Sequence, residues 1–168
     1  RGYFLESWNN QEFNKIISRD VNFVQDNHSK SKYGVLRGLH YQLEPKAQAK
    51  LVRCTKGEVF DVLVDIRKDS ATYGEWSSII LNAQNKLQFW IPEGFVHGFM
   101  SLKDLSEVQY KTNEYWDKDL ERSLLWKDSD LNIDWPLANT KEKNKIITND
   151  KDAIAPTLKE VEKSGDLF

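Results

Sequence analysis

The sequence predicts an all-β fold, either a sandwich or a barrel. Short runs of alternating apolar and polar residues recur along the chain, and turn residues separate them at close intervals. The clearest run is Glu58–Arg67, where the even-numbered positions from 60 to 66 are apolar and the odd-numbered positions include Asp61 and Asp65. Further strands are predicted at Ala49–Cys54, Trp76–Leu81, Leu87–Ile91, Val96–Ser101 and Glu107–Thr112.

Helical signals are sparse. One short helix is predicted over Gln11–Ser18, with Asn10 as its N-cap. A second is predicted from Thr157, because Thr157 and Glu160 have capping-box spacing and Gly165 supplies a stop. We therefore expect a few short helices around a β core.

Length favours a single domain over residues 1–168. Residues 138–168 read as a C-terminal excursion followed by a short helix, because Ala138–Lys151 is polar and rich in Lys and Asn. Six Trp and six Tyr in 168 residues predict a core with polar slots, or a site that stacks flat rings.

Composition excludes several classes of protein. The formal net charge of −2 lacks the surplus of Lys and Arg that a strong phosphate-backbone binder needs. No apolar stretch approaches the roughly 18–20 residues of a membrane span. The single cysteine, Cys54, permits neither an intrachain disulfide nor a Cys-rich zinc site, which fits a reducing, cytoplasmic setting.

Reactive side chains are densest in Gly34–Lys50, which holds Arg37, His40 and Lys50. If a strand begins near Gln48, the Lys50 side chain shares a face with Val52 and points inward. A lysine inside a small barrel needs a partner or a chemical role. The alternative is an amine that reaches solvent at the barrel mouth.

His97 lies in the segment IPEGFVHGF. Its Pro-x-Gly-x-x-His spacing is similar to the second motif of the cupins, β-barrels that often bind a metal. The first cupin motif carries His-x-His, whereas the comparable place here reads His40-Tyr41-Gln42. Two His, a Gln and a Lys are a poor ligand set for a divalent metal. We expect the cupin pocket without the metal; a core histidine bonded to backbone is the alternative.

Two more residues carry an open choice. Tyr110 alternates with Val108 and Thr112 and so faces inward, either as a core tyrosine or as a site residue. Asp152 lies in a late polar segment, where a solvated loop carboxylate is the usual interpretation.

Together these segments resemble the dTDP-4-dehydrorhamnose 3,5-epimerase family. The resemblance runs from Arg1 to about Leu158 and rests on several long motifs in the family's order: RGYFLES, QDNHSKS, GVLRGLHYQ, QAKLVRC, DVLVDIRKDSATYG, IPEGFVHGF, EVQYK, LNIDWP and a late Lys-Asp with Pro four residues on. It implies a cupin-type jelly roll and a cytoplasmic homodimer in L-rhamnose synthesis for cell-wall polysaccharide. It implies no metal or other cofactor, and an N-terminal family strand missing before Arg1.

The resemblance also implies roles. His40 corresponds to the catalytic base, Asp152 to its paired carboxylate, Tyr110 to the general acid and Lys50 to the cation beside the C4 oxygen. The implied substrate-binding residues are Arg1, Phe4, Glu6, Gln25, Asn27, Arg37, His97, Trp116 and Glu121. In the family the Arg1–Glu6 segment reaches into the partner subunit. At Trp116 the family commonly has a tyrosine, so stacking on the base is retained but the phenol is lost.

The implied reaction is epimerisation at C3 and C5 of dTDP-4-dehydro-6-deoxy-D-glucose, by proton abstraction beside the C4 ketone and reprotonation from the opposite face. Three alternatives remain: an epimerase that inverts C3 or C5 only, a metal-dependent cupin oxygenase, and a non-catalytic binder of nucleotide sugars.

Overall fold

The computed structural model describes residues 1–168 as two facing antiparallel β-sheets. The strands are β1 (Gln25–Ser31), β2 (Leu36–Gln42), β3 (Lys50–Lys56), β4 (Glu58–Asp65), β5 (Trp76–Asn82), β6 (Gln88–Ile91), β7 (Phe95–Ser101), β8 (Ser106–Thr112) and β9 (Glu121–Ser123). One sheet has the order β1-β8-β3-β6 and the other has the order β5-β4-β7-β2-β9. The all-β prediction is confirmed.

Six of these strands were predicted to within two residues at each end, and three were missed. β1 reads QDNHSKS and has no apolar residue, so its alternation carries no hydrophobic signal. β2 contains Gly38, and β9 is only three residues long. The run predicted over Glu58–Arg67 ends at Asp65, whose carboxylate accepts the Arg67 backbone N–H and closes a turn.

The helices are α1 (Asn10–Ile17), α2 (Asp150–Ala153) and α3 (Leu158–Ser164), with a 3₁₀ turn at Lys143–Lys145. The first begins one residue earlier than predicted, because the Asn9 side chain, not Asn10, accepts the first free N–H groups. The capping box of α3 and its end at Gly165 are confirmed. Residues 138–149 hold turns and the 3₁₀ turn and are half-buried or exposed, whereas Asp150 and Lys151 already belong to α2.

The apolar core has two parts, one on each face of the five-stranded sheet. On the outer face, Val62, Val64 and Leu39 pack under the chain's last third, including Trp135 and Val161. Between the sheets lies a smaller cluster, made by Val52, Cys54, Val59, Leu81, Ile91, Phe99 and Val108. The two faces predicted for β4 therefore enter different cores, and the small inner core leaves room for a cavity. None of the helices has the length and apolar character needed to cross a bilayer.

Candidate active site

The centre of the site is a hydrogen-bonded pair of residues that are distant in sequence. The Nε2 atom of His40 lies 2.7 Å from Oδ1 of Asp152. The second carboxylate oxygen of Asp152 accepts the Gly38 backbone N–H at 3.1 Å. Burial alone would raise the pKa of Asp152, but the hydrogen bond and charge of His40 hold it below its ordinary value. Asp152 is 1% exposed and so is not a solvated loop carboxylate, which is the usual interpretation of an aspartate in a polar segment.

A bulge in β2 aims His40 at this partner. β2 pairs with β7 through Arg37 and Phe99, and again through His40 and His97, with a register shift between. Residues three apart point to opposite faces of a regular strand, whereas a bulge adds one residue and restores the same face. Arg37 and His40 consequently both line the space between the sheets.

Glycines permit the close approach that this bulge requires. Gly38 has φ +120°, and a Cβ added there would lie 2.7 Å from the Cα of Gly98 on the neighbouring strand β7. A Cβ on Gly98 would lie 2.8 Å from the Arg37 carbonyl oxygen. No side chain fits between the two backbones, so both positions demand glycine.

Asp152, the other member of the pair with His40, is held in place by the N-cap of α2. The Asn149 side chain is the N-cap of α2 and accepts the Asp152 backbone N–H at 2.7 Å. Asn149 also lines the cavity beside Asp152. This short helix therefore presents Asp152 to His40 by ordinary capping geometry.

Lys50 is buried, as the inward orientation predicts. Its side chain is 8% exposed, and its Nζ donates a 3.3 Å hydrogen bond to the His40 carbonyl oxygen. Burial lowers the pKa of Lys50 to about 8, although the negative charges of Asp61 and Glu121 favour the ammonium form. The amine can therefore switch between charged and neutral forms in a moderate pH range.

His97 pairs with a carboxylate rather than with backbone. Its Nε2 lies 2.8 Å from Oδ1 of Asp61, and Asp61 is 0% exposed. Burial lowers the pKa of His97 even though Asp61 favours the charged form. The Oδ2 atom of Asp61 has no hydrogen-bond partner. A second His–Asp pair thus stands close to the first.

Tyr110 faces His40 from the other sheet. Tyr110 belongs to β8, between β1 and β3, whereas His40 belongs to β2. Burial raises the pKa of Tyr110, as does Glu121, while Arg37 acts in the opposite direction. The phenol is therefore protonated at neutral pH and can donate a proton into the cavity.

Two connected spaces make up the cavity. His40, Lys50 and Tyr110 line both of them. The inner lobe, of about 200 Å³, also holds Arg37, His97, Asp152, Phe99, Asn149 and Ser29. The rim lobe, of about 90 Å³, also holds Gln25, Asn27, Gln42, Gln48, Tyr41, Trp116 and Glu121. Nowhere do three or more His, Cys, Asp or Glu side chains cluster with metal-ligand geometry.

Trp116 lies at the mouth of the rim lobe. Its indole is 54% exposed, and its backbone N–H donates to Gln25 Oε1 at 3.1 Å. Gln42 holds the same segment by donating to the Tyr115 carbonyl oxygen and accepting from the Asp117 N–H. Glu121 pairs with Lys151 at 2.6 Å, beside Asp152. A flat apolar ring is thus fixed at the entrance.

The N-terminal segment does not reach this cavity within one chain. Phe4 is 99% exposed, Arg1 is exposed, and Glu6 bonds only to the Asn9 amide. Of the predicted site residues, these three alone stand apart from the cavity.

Several residues at or beside the cavity were not predicted as site residues, among them Asp61, Ser29 and Asn149. Asp61 had a usable signal, because a carboxylate inside a strongly apolar strand needs a partner. Ser29 lay in an unrecognised strand. Asn149 lay in a segment whose three-dimensional position only long-range packing sets.

A two-sheet β-barrel with acid–base side chains in its cavity defines the class: a cupin-type barrel enzyme. More narrowly, the chain belongs to the dTDP-4-dehydrorhamnose 3,5-epimerase family, whose sequence profile matches residues 1–160. It is 58% identical over 151 residues to the dTDP-4-dehydrorhamnose 3,5-epimerase of Shigella flexneri, covering 90% of this chain and 83% of that one.

Solved structures agree. A Legionella pneumophila dTDP-6-deoxy-D-glucose-3,5-epimerase in complex with dTDP-4-keto-L-rhamnose has a TM-score of 0.91 at 43% identity, covering 99% of this chain and 85% of that one. A 3'-monoepimerase from Streptomyces bikiniensis in complex with dTDP-quinovose has a TM-score of 0.87 at 31% identity, covering 96% and 79%. The predicted family and the jelly-roll fold are confirmed.

Proposed function

We propose that this chain epimerises C3 and C5 of dTDP-4-dehydro-6-deoxy-D-glucose to give dTDP-4-dehydro-L-rhamnose. The observation that supports this most strongly is the opposition of His40 and Tyr110 across one cavity, which buried Lys50 also lines. Inversion needs a base on one face of the sugar and an acid on the other, because reprotonation from the base's own side restores the starting configuration.

The stereochemistry of the substrate suits a single base. In a D-gluco chair the hydrogens on C3 and C5 are both axial and on the same face. Both carbons are also α to the C4 ketone, so each proton is acidic once the enolate is stabilised. His40, with Asp152 behind it, takes each proton in turn and releases the first to solvent before it takes the second. The carboxylate stabilises the imidazolium that forms in each step.

The enolate needs a positive charge beside O4. Lys50 supplies it from a buried position, where a charge acts through a lower effective dielectric than in water. Tyr110 then delivers a proton to the opposite face, and its phenolate is stabilised by the nearby Arg37. No redox cofactor takes part, because the ketone already activates both carbons.

The nucleotide end extends out of the cavity, towards exposed residues of both lobes. Trp116 stacks on the thymine, and the exposed guanidinium of Arg37 reaches the pyrophosphate. Arg1, Phe4 and Glu6 complete this end from the partner subunit of a homodimer. This arrangement accounts for the unusual exposure of Phe4, which a lone barrel leaves in water.

The first test is solvent exchange. In deuterium oxide, His40→Ala is expected to lose incorporation of deuterium at both C3 and C5, because His40 is the base proposed for both protons. NMR of the recovered sugar measures each carbon separately, and circular dichroism checks the fold. Full exchange in the variant would show that His40 is not the base.

Tyr110→Phe removes the acid but keeps the ring. We expect turnover to fall by roughly 10²–10⁴-fold, the usual contribution of a positioned acid or base. Exchange at C5 should persist while inversion at C5 is impaired most, since the base is intact. If the variant inverts C3 and C5 at the same rates as wild type, Tyr110 is not the acid.

A second candidate, a mono-epimerase, is favoured by one observation: the Streptomyces bikiniensis structure is a 3'-monoepimerase with the same fold. The exchange assay separates the two, because a mono-epimerase inverts one carbon only. Parallel binding measurements with dTDP, UDP and GDP sugars test the preference for the base.

A metal-dependent cupin oxygenase predicts stoichiometric iron or manganese and loss of activity on chelation. Elemental analysis and treatment with a chelator test that alternative directly. A non-catalytic binder predicts nucleotide-sugar binding with no exchange at either carbon in the wild type.

A further inference from the structure

Ser29 is the one polar side chain on the inner face of β1 that the protein leaves without a partner. Gln25 accepts the Trp116 N–H and donates to Asn27, and Ser31 accepts from Arg37 Nε at 3.1 Å. The Ser29 hydroxyl is buried and makes no hydrogen bond. A buried hydroxyl without a partner costs stability, so its retention calls for an explanation.

The location of Ser29 suggests one. It lines the inner lobe together with His40, Lys50 and Tyr110, the residues that line both lobes. The two histidines of this lobe already have carboxylate partners: His40 pairs with Asp152 and His97 pairs with Asp61. The Ser29 hydroxyl is thus an unused donor and acceptor at the reacting end of the cavity.

We infer that Ser29 binds a hydroxyl group of the substrate's hexose ring, at C2 or C3, and so positions the ring between His40 and Tyr110. This inference rests on the proposed function, which sets the hexose at those two residues. A neutral ring hydroxyl fits the buried Ser29 better than a phosphate does. The strongly charged pyrophosphate instead suits the exposed Arg37.

The test is Ser29→Ala with natural and deoxygenated substrates. With the natural substrate we expect kcat/KM to fall about 5- to 100-fold, because the ring hydroxyl loses its partner. The affinity for dTDP alone should be unchanged within about twofold, since the diphosphate does not reach Ser29. Ser29→Thr, which keeps a hydroxyl, should recover part of the loss.

Substrate analogues identify the atom. Two analogues are compared, one 2-deoxy and one 3-deoxy; for the 3-deoxy sugar the reaction is monitored by solvent exchange at C5. Wild type and Ser29→Ala should have equal kcat/KM for the analogue that lacks the hydroxyl bound by Ser29. A loss that persists with both analogues overturns the inference, as does an equal fall in dTDP affinity or an unchanged kcat/KM.

Stability distinguishes a binding role from a structural one. Removing an unsatisfied buried hydroxyl should leave the melting temperature unchanged or raise it by about 2–4 °C. Ser123→Ala is the matched control, because its hydroxyl is also buried and unpaired but lies outside the cavity. The control should keep full activity. If wild type itself is inactive, the proposed function fails; an active wild type with an equally active Ser29→Ala refutes this inference alone.

Discussion

At the scale of single residues, burial sets the chemistry. Lys50 sits in a nearly closed space, so its ammonium form is destabilised relative to water and its pKa falls to about 8. The same ammonium is the only buried cation beside the site of the enolate. The buried ammonium group of Lys50 therefore lowers the stability of the fold but serves the proposed catalysis. Because its pKa is lower in the folded than in the unfolded chain, its charge costs stability below pH 8, and that cost is relieved as pH rises from about 8 to about 10.5.

A pH profile checks this. We expect kcat/KM to decline above pH 8, tenfold for each further pH unit, as Lys50 loses its proton. Lys50→Arg should show lower activity but no such decline, because guanidinium stays charged. Tyr110 does not account for the decline above pH 8, since burial raises the pKa of its phenol. A decline that persists in Lys50→Arg would assign it to another group.

At the scale of elements, the contact between β2 and β7 decides where the catalytic groups point. Its bulge places Arg37 and His40 on one face, and Gly38 and Gly98 let the two backbones meet. The strand is therefore both a structural neighbour of β7 and the frame that orients the base. A change that separates the two strands should affect both roles.

Gly98→Ala tests that coupling. Its new Cβ would lie 2.8 Å from the Arg37 carbonyl oxygen and 2.9 Å from Leu39 Cδ2, so β2 must move. We expect a loss of roughly 1–3 kcal/mol in the free energy of unfolding, as for other overpacked sites. We also expect a fall in kcat, because His40 is displaced. Denaturant unfolding and steady-state kinetics measure the two effects.

Gly165→Ala provides the matched control. Gly165 caps α3 with φ +79° and has open space around its Cα. Its replacement should cost about 1 kcal/mol through backbone strain while kcat is unchanged. If Gly98→Ala lowers only stability, β2 does not orient the base.

At the scale of the whole molecule, one chain leaves an aromatic segment in water. Tyr3, Phe4 and Leu5 are all exposed, while Trp8 packs on Phe13 and Phe23 of the same chain. Tyr3, Phe4 and Leu5 are therefore available to contact a second copy of the chain. Trp8 anchors the C-terminal end of the same segment to its own chain. The proposed dimer makes use of that division.

Mixing two inactive variants tests the proposed dimer. One carries His40→Ala with an intact N-terminal segment, and the other carries Arg1→Ala and Phe4→Ala with an intact barrel. If the segment acts on the partner's site, a heterodimer holds one complete site and activity should reappear on mixing. A mixture as inactive as its components, or a monomer by light scattering, would contradict the proposal.

The sequence by itself determined the local and periodic features of this protein. Alternation identified most strands and the inward faces of Lys50 and Tyr110, since side chains on successive strand residues point to opposite faces. The capping box of α3 was readable because all its contacts lie within four residues. Long ordered motifs indicated the family, which the comparisons confirm.

Only the tertiary structure decided which residues meet. His40 and Asp152 are 112 positions apart, and His97 and Asp61 are 36 apart. The bulge in β2, the polar strand β1 and the unpartnered Ser29 follow from how strands pair. Pairing and register depend on contacts between distant segments, for which no local pattern codes. The chemical groups could thus be named from the sequence, but their arrangement around one cavity could not.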